Sequence, residues 1–458
     1  MHKWPNIVPT SCPATKPSSS LQVERKENLT NHPVKRAWLQ CLLNHPVAFY
    51  ALVYGSSQHL KFLHNGREVV PRAALLRLSY KTEAVKLINQ ALRDLHGRPI
   101  PDPVLIAILS LGAHGNESNH SAADDEASGN STSSPQTRTT APPNPLATAQ
   151  LLNFYGALTQ ETAHMSALRT LLQHNNGTES ITLPGLASAI SLGDILNSTV
   201  THRIPYVPHP GPLTPSVAAY LNLLPSLPLK TKSFPSGRQS AQLLESLTHS
   251  QALTAGLSSY LSLSSPPPPS PPQPQPHSVT NPTTAPPPTL EDLIISRNAV
   301  HHALLSLLPA NGLWGPRFAL YEALRLGMLI FSDLALFPLP AKTGVRGRYA
   351  GMLREALECI LGGGGGGDAG TRCREQQQKQ GEMEAQGLAW ACVMGALAVE
   401  GGDGEESRRK KAWFVESARG WMEVWGVVEW EEMQTMLQRW LWCRILLEGV
   451  GKAAWEGE

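Results

Sequence analysis

Apolar residues recur every three or four positions over most of this chain, and the stretches between carry no such period. Trp38, Leu39, Leu42 and Leu43 share one helical face. A second helix is predicted over residues 47–63, with Phe49, Leu52, Val53, Leu60 and Leu63 on it, closed by Asn65-Gly66. A third covers about 71–95, with Pro71 in its first turn and Gly97-Arg98-Pro99 as its stop. Asp102 is read as the N-cap of a fourth, running to Leu111 with Pro103 at its first position. Residues 34–113 therefore read as two antiparallel helical hairpins. Further helices are predicted over 146–172, 184–201, 215–224 and, weakly amphipathic, 237–263. Thr289, with Asp292 three residues on, caps another that runs to Leu308. Three more follow at about 381–400, 411–425 and 429–449.

No sustained alternation of Val, Ile and Thr occurs, so no strand is expected. The predicted fold class is all-α: an array of antiparallel helical hairpins forming one discontinuous domain, with disordered Pro/Gly/Ser-rich insertions. Residues 318–357 define it best. An apolar helix there runs into Phe337-Pro338-Leu339-Pro340, a short basic turn follows, and a second amphipathic helix begins near Arg348. Glu322, Arg325 and Asp333 fall within the first helix and would each be costly at a bilayer centre, so a buried core helix is expected and no membrane span.

The aperiodic stretches divide the chain. Residues 1–33 are Pro/Ser-rich and expected to be disordered, as is an Asn/Ser/Thr-rich loop over 114–145. The first helical part is 34–208. Residues 209–289 read as a Pro/Ser-rich linker ending in a polyproline run, in which Pro266, Pro269, Pro272 and Pro276 form a candidate motif for SH3- or WW-type partners. The second helical part is 290–458, with a Gly-rich loop over 361–380.

Composition narrows the chemistry. Charged residues make up 16% of the 458, and the net charge of +2 gives no global drive toward nucleic acid or anionic lipid. The six cysteines have no C-x-x-C pair among them and are too sparse for a disulfide scaffold, so reduced, mostly buried thiols are expected. The glycine run at 362–367 has no Gly-Lys-Ser/Thr ending and reads as a tether rather than a phosphate loop. His301 and His302 are adjacent on a helix and point about 100° apart, so they cannot hold one metal from a single face. No G-x-S-x-G or H-E-x-x-H pattern occurs, and neither an enzyme nor a cofactor is expected.

Arg408, Arg409, Lys410 and Lys411 form the densest basic run. They read either as a nuclear import signal or phosphate contact, or as a solvated helix entry behind Glu405 and Glu406. Eight of the eleven tryptophans lie at or beyond residue 390, where core packing competes with a stacking platform. His164, Asp194, Arg297 and Arg325 sit among apolar helix neighbours. They read as the walls of a ligand pocket or as satisfied buried groups.

Several segments taken in order resemble the fungal-specific transcription factor domain. They are the helix at Tyr80–Asn89, His164-Met165-Ser166-Ala167-Leu168, and Leu183-Pro184-Gly185-Leu186 with Asp194. In the second half they are Arg297-Asn298-Ala299-Val300, Tyr321, Arg325, the 337–340 corner, Trp390, Trp413-Phe414-Val415 and Trp440 with Trp442. The resemblance covers about 34–208 and 290–455 and implies a helical regulatory region acting through protein partners or a small-molecule effector in the nucleus. The paired cysteine runs of the family's binuclear zinc cluster are not in this sequence, so direct sequence-specific DNA binding is not carried over; an upstream segment could hold that module. The competing expectation is a scaffold with no transcriptional role, in the nucleus or the cytoplasm, that uses its polyproline segment.

Overall fold

The computed structural model describes residues 33–115, 144–209, 211–224, 237–264, 286–310, 316–361, 381–400, 404–423, 426–427 and 429–457. Among them the regular structure is helical, no strand forms, and the fold is all-α as the apolar period predicts. The helices of ten or more residues are α1 (Pro33–Asn44), α2 (Pro46–Leu63), α3 (Ala73–Arg93), α4 (Asp102–Ala113), α5 (Thr162–His174), α6 (Leu186–Thr201) and α7 (Arg238–Ser264). They continue as α8 (Leu290–Ser306), α9 (Pro316–Phe331), α10 (Val345–Ile360), α11 (Glu382–Ala398), α12 (Glu405–Met422), α13 (Trp430–Arg439) and α14 (Arg444–Glu456). The polyproline positions Pro266, Pro269, Pro272 and Pro276, and the glycine run, lie outside the described residues.

Two apolar cores lie side by side. The first is built from α1 to α5 and the start of α6, with Ala51, Leu105, Leu168 and Ile190 among its buried members. The second takes the rest of α6 and the helices from α7 to α14. One helix serves both: α6 gives Leu186 and Ile190 to the first core and Ile195 and Leu196 to the second. Small residues let helices close in. A Cβ on Gly112 would come 2.7 Å from Met165 Sδ, so α4 and α5 meet there only because no side chain intervenes.

Several boundaries differ from the sequence reading, each for an identifiable reason. Pro71 does not open α3, which begins two residues later behind Arg72, a residue with left-handed backbone (φ 62°). Asp102 is the first residue of α4 rather than its cap. Its carboxylate is occupied across the fold, accepting from the Thr182 amide (2.9 Å), the Thr182 hydroxyl (2.7 Å) and the Leu183 amide (2.6 Å). Charge-assisted bonds of this kind carry about 1.5–3 kcal/mol. Asp102→Ala is therefore expected to lower unfolding free energy by about 2 kcal/mol in a urea titration, and an unchanged midpoint would show the tie to be idle.

The single helix predicted over 146–172 is broken into short turns at Pro145–Thr148, Ala149–Leu151 and Leu152–Tyr155, with α5 following separately. Gln150 and Leu151 adopt positive φ, which ends the helical ladder and aims the Gln150 side chain at α8. The helix predicted over 429–449 is likewise two, α13 and α14. The carbonyls of Arg439, Trp440 and Leu441 at the break are taken by the Gln251 amide (3.0 and 2.8 Å) and the Trp390 indole (2.9 Å). Residues 209–289 are more than a linker. They contain α7, whose Ser250, Leu253 and Leu257 are fully buried in the second core.

The capping box predicted at Thr289 and Asp292 is formed at the start of α8. The tryptophans fill the second core: Trp390, Trp421 and Trp440 are fully buried, and Trp390 stacks on Trp440 at 6.0 Å. Cys41, Cys392 and Cys443 are buried and Cys359 is exposed. Among the described residues no helix is long and apolar enough to cross a membrane.

Candidate ligand cavity between the two cores

The 337–340 corner of the second core is cross-braced by several side chains. α9 ends in a π-helical turn over Ser332–Leu336, a distortion common at functional or strained positions. His301 of α8 is fully buried against it, with its ring stacked on Phe337 at 4.3 Å and 4°. The direction of its hydrogen bonds follows from its partners. The Thr199 hydroxyl donates to the Ile195 carbonyl (2.7 Å) and so accepts from His301 Nε2 (2.9 Å), which leaves Nδ1 to accept from the Ser332 hydroxyl (2.8 Å). The imidazole is neutral: burial first, then the Arg297 guanidinium and His302, push its pKa down to about 3.

Arg297, one turn earlier on α8, lies 5.1 Å from the centre of the Phe337 ring. It donates to the Leu146 carbonyl (3.1 Å), to Gln150 Oε1 and to Asn298 Oδ1 (3.2 Å). Burial lowers its pKa to about 9. Asp333 accepts from the Leu339 amide (3.2 Å) and pairs with Arg346. Burial raises its pKa while Arg346 pulls the other way.

Two of the other polar residues singled out in the sequence are also occupied. Asp194 accepts from the amides of Tyr206 (2.6 Å) and Val207 (2.8 Å). Arg325 pairs with Glu322 at 2.7 Å inside the core. His164 is half-buried on α5, its pKa lowered by burial. Asp194, Arg297 and Arg325 each bond to a different partner and brace helices rather than converge on a pocket. His302 faces away from His301 and bonds the Val207 carbonyl at 2.9 Å. Among the described residues no set of three His, Cys, Asp or Glu side chains could hold a metal ion.

The basic run opens α12. Arg408 and Arg409 pair with Glu405, Lys410 with Glu406, and Lys411 with Glu400. Arg408 and Arg409 are well exposed, and exposed pairs of this kind hold by about 0.5 kcal/mol, so a receptor can displace them.

A cavity of about 130 Å³ lies elsewhere, at the seam between the two cores. α1 and α2 contribute Trp38 and Leu52, α4 contributes Leu109 and Ala113, and α6 contributes Leu192 and Leu196. Tyr155, His114 and Gln160 complete the wall. The lining is largely apolar; among its polar residues Ser110 donates to the Ala51 carbonyl (2.9 Å), and His114 and Gln160 offer acceptors. His114 Nδ1 lies 2.7 Å from the Ser110 carbonyl, to which it must donate, so Nε2 is left as an acceptor. Burial lowers the His114 pKa, which keeps the ring neutral. The Gln160 amide nitrogen reaches the Gly193 carbonyl (3.3 Å), while its Oε1 is buried without a partner.

Comparison with protein-family models, curated proteins and solved structures returned no match.

The cavity is of the size that holds one benzene-like molecule, since an engineered apolar cavity of about 150 Å³ does so. Two acceptors in an apolar wall suit a small ring bearing a hydroxyl or N–H donor. Sequence patterning singled out none of His114, Tyr155 or Gln160. His114 falls just past a predicted helix and Gln160 inside another, and nothing local marks either.

Proposed function

We propose that this chain is a regulatory helical body of the fungal transcription-factor type, whose output is set by a small, donor-bearing apolar effector seated between its two cores. One observation carries the reading. The cavity wall includes α6, the helix shared by both cores, so a molecule in the cavity touches the element whose shift would change both packings at once. Effector binding could act on the fold only through such differential contact with two arrangements. The family resemblance supplies the regulatory context, with nuclear action through protein partners and without DNA reading by these residues. The exposed cations at the start of α12 suit an import receptor on the same reading.

Binding can be tested with phenol and toluene as probes, by calorimetry or ligand-observed NMR. Phenol is expected to bind about tenfold more tightly than toluene, the equivalent of one hydrogen bond to an otherwise unpaired acceptor. Gln160→Met should reduce that preference, since only the His114 acceptor remains, while leaving toluene binding in place, and Leu192→Trp should fill the cavity and abolish both. Equal affinities for the two probes in the parent chain would remove the donor-bearing effector. The regulatory half is tested separately by fusing the chain to a heterologous DNA-binding domain. A reporter indifferent to the fusion would sink it.

A further inference from the structure

Charge is segregated along this chain in a way its total conceals. Residues 33–93 carry nine Lys or Arg against two Asp or Glu, a net +7, while the whole chain is only +2. The same helices expose most of the apolar surface: nine of the fifteen exposed large hydrophobic residues recorded among the described residues lie in α1 to α3 and the turn between α2 and α3. They are densest at the hairpin tip. Leu60, Leu63, Val69, Val70, Leu75 and Leu78 there are between 42% and 65% exposed. Scattered single apolar residues need no explanation, but a cluster of this kind does.

α3 is the edge helix of the hairpin, packed mainly on α2 and more lightly on α4, and only Ala84 and Ile88 of it are buried. Its outward face runs Leu75, Leu78, Thr82, Lys86, Asn89 and Arg93, positions three or four apart and all exposed. The stripe is apolar at the tip and polar and basic beyond it. At 1.5 Å per residue its 21 residues make a face about 30 Å long. Among the described residues, no carboxylate lies within salt-bridge distance of Arg67 or Arg72 at the tip.

We infer that this face is a docking surface for an acidic amphipathic helix of a protein partner. Three other occupants fit less well. A second copy of the chain would set the cations of one face, Arg67, Arg72, Lys86 and Arg93, against the same cations of the other, with Glu83 beside Lys86 as the carboxylate paired there, an unfavourable isologous contact. A lipid surface takes an apolar face along a helix's whole length, and here the apolar part stops after two turns. Nucleic acid would pair with the cations and leave the exposed leucines and valines in water. A partner helix with apolar residues at one end and carboxylates along its length covers both parts, with leucine contacts at the tip and ion pairs along the shaft. This surface is separate from the seam cavity, and the inference does not depend on what binds there.

The test uses a fluorescein-labelled synthetic helix of about 20 residues, leucine on one face at its end and glutamate along the rest, titrated with the full chain and read by anisotropy. Saturable binding is expected, weakened at least tenfold between about 50 and about 300 mM salt. Leu75→Asp combined with Leu78→Asp, and separately Lys86→Glu combined with Arg93→Glu, should each weaken it at least tenfold. All four positions are exposed, and circular dichroism checks that the variants keep the parent helix content. A charge-reversed peptide with lysine for glutamate should not bind. The inference is overturned if neither pair of substitutions changes affinity, if the lysine peptide binds as well, or if the glutamate peptide does not bind. It is also overturned if the same leucines are needed instead for sedimentation with vesicles containing phosphatidylserine, or for a dimer seen by light scattering.

Discussion

Acidification from pH 7 to pH 5 is expected to cost the fold about 2 kcal/mol through His301 alone. The sign follows from proton counts. The unfolded imidazole binds its proton near pH 6.5, whereas in the fold its pKa is pushed to about 3 by burial and by Arg297. Between those values the unfolded chain holds more protons than the folded one, so stability is complete above about pH 6.5 and falls as pH drops toward 3. Near the middle of that window the slope approaches about 1.4 kcal/mol per pH unit. His202 adds to it over a narrower range. Its pKa is pushed down to about 4 by burial, Arg348 and Arg325, and it is partly exposed, so its share is smaller. The physical cost is visible in the hydrogen bonds. A protonated His301 could no longer accept from Ser332, and its charge would sit beside a buried guanidinium. Urea titrations at pH 7, 6 and 5 would measure the slope, and a His301→Gln variant should flatten it. A parent whose midpoint does not move over that range would rule out a buried neutral His301.

The fold class was readable because helix burial leaves a 3.6-residue signature, and here it extends over most of the chain. The Thr289–Asp292 capping box and the 337–340 corner were readable for a related reason: caps and prolines act locally, so their neighbours in sequence suffice to place them. Apart from the start of α3, the misplaced boundaries depend on distant partners. Asp102 looks like a cap until Thr182 is beside it, eighty residues on. The 429–449 helix breaks where Gln251 and Trp390 claim its carbonyls. Gln150 leaves the helical region and its side chain meets Arg297. None of these contacts leaves a trace in the local pattern.

The polar residues drew attention for a sound reason that pointed to packing rather than to a site. Asp194, Arg297 and Arg325 are conspicuous because burying them requires partners, and the partners are backbone amides, carbonyls and nearby opposite charges. The cavity has the opposite character. Leu109, Leu192 and Leu196 line it, and an apolar residue facing a void reads the same in sequence as one facing another side chain. The charge segregation of α1 to α3 was in the sequence throughout. It becomes informative only once α3 is seen to lie at an edge with its leucines uncovered.

Phe337→Ala should be the more damaging change, lowering stability by about 4 kcal/mol, because three separate contributions meet on one ring. Phe337 is fully buried, and truncating a buried phenylalanine costs about 3–5 kcal/mol when the cavity cannot collapse. Collapse is resisted here by the braces around it: Asp333 to Leu339 and Arg346, Asn144 to the Ala335 carbonyl (2.8 Å), and His301 held at both nitrogens. The ring also carries the His301 stack and the Arg297 contact, worth about 0.5–1.5 kcal/mol and about 0.5–2 kcal/mol respectively. Phe337→Leu keeps most of the apolar volume but neither aromatic contact, and should cost about 1.5 kcal/mol. A double-mutant cycle with Arg297→Met separates the effects. If the guanidinium is held by the ring, the two changes together should cost less than their sum by at least about 0.5 kcal/mol. A Phe337→Ala loss below about 2 kcal/mol would mean that the corner repacks, and strict additivity with Arg297→Met would mean that the ring and the guanidinium are neighbours without interaction.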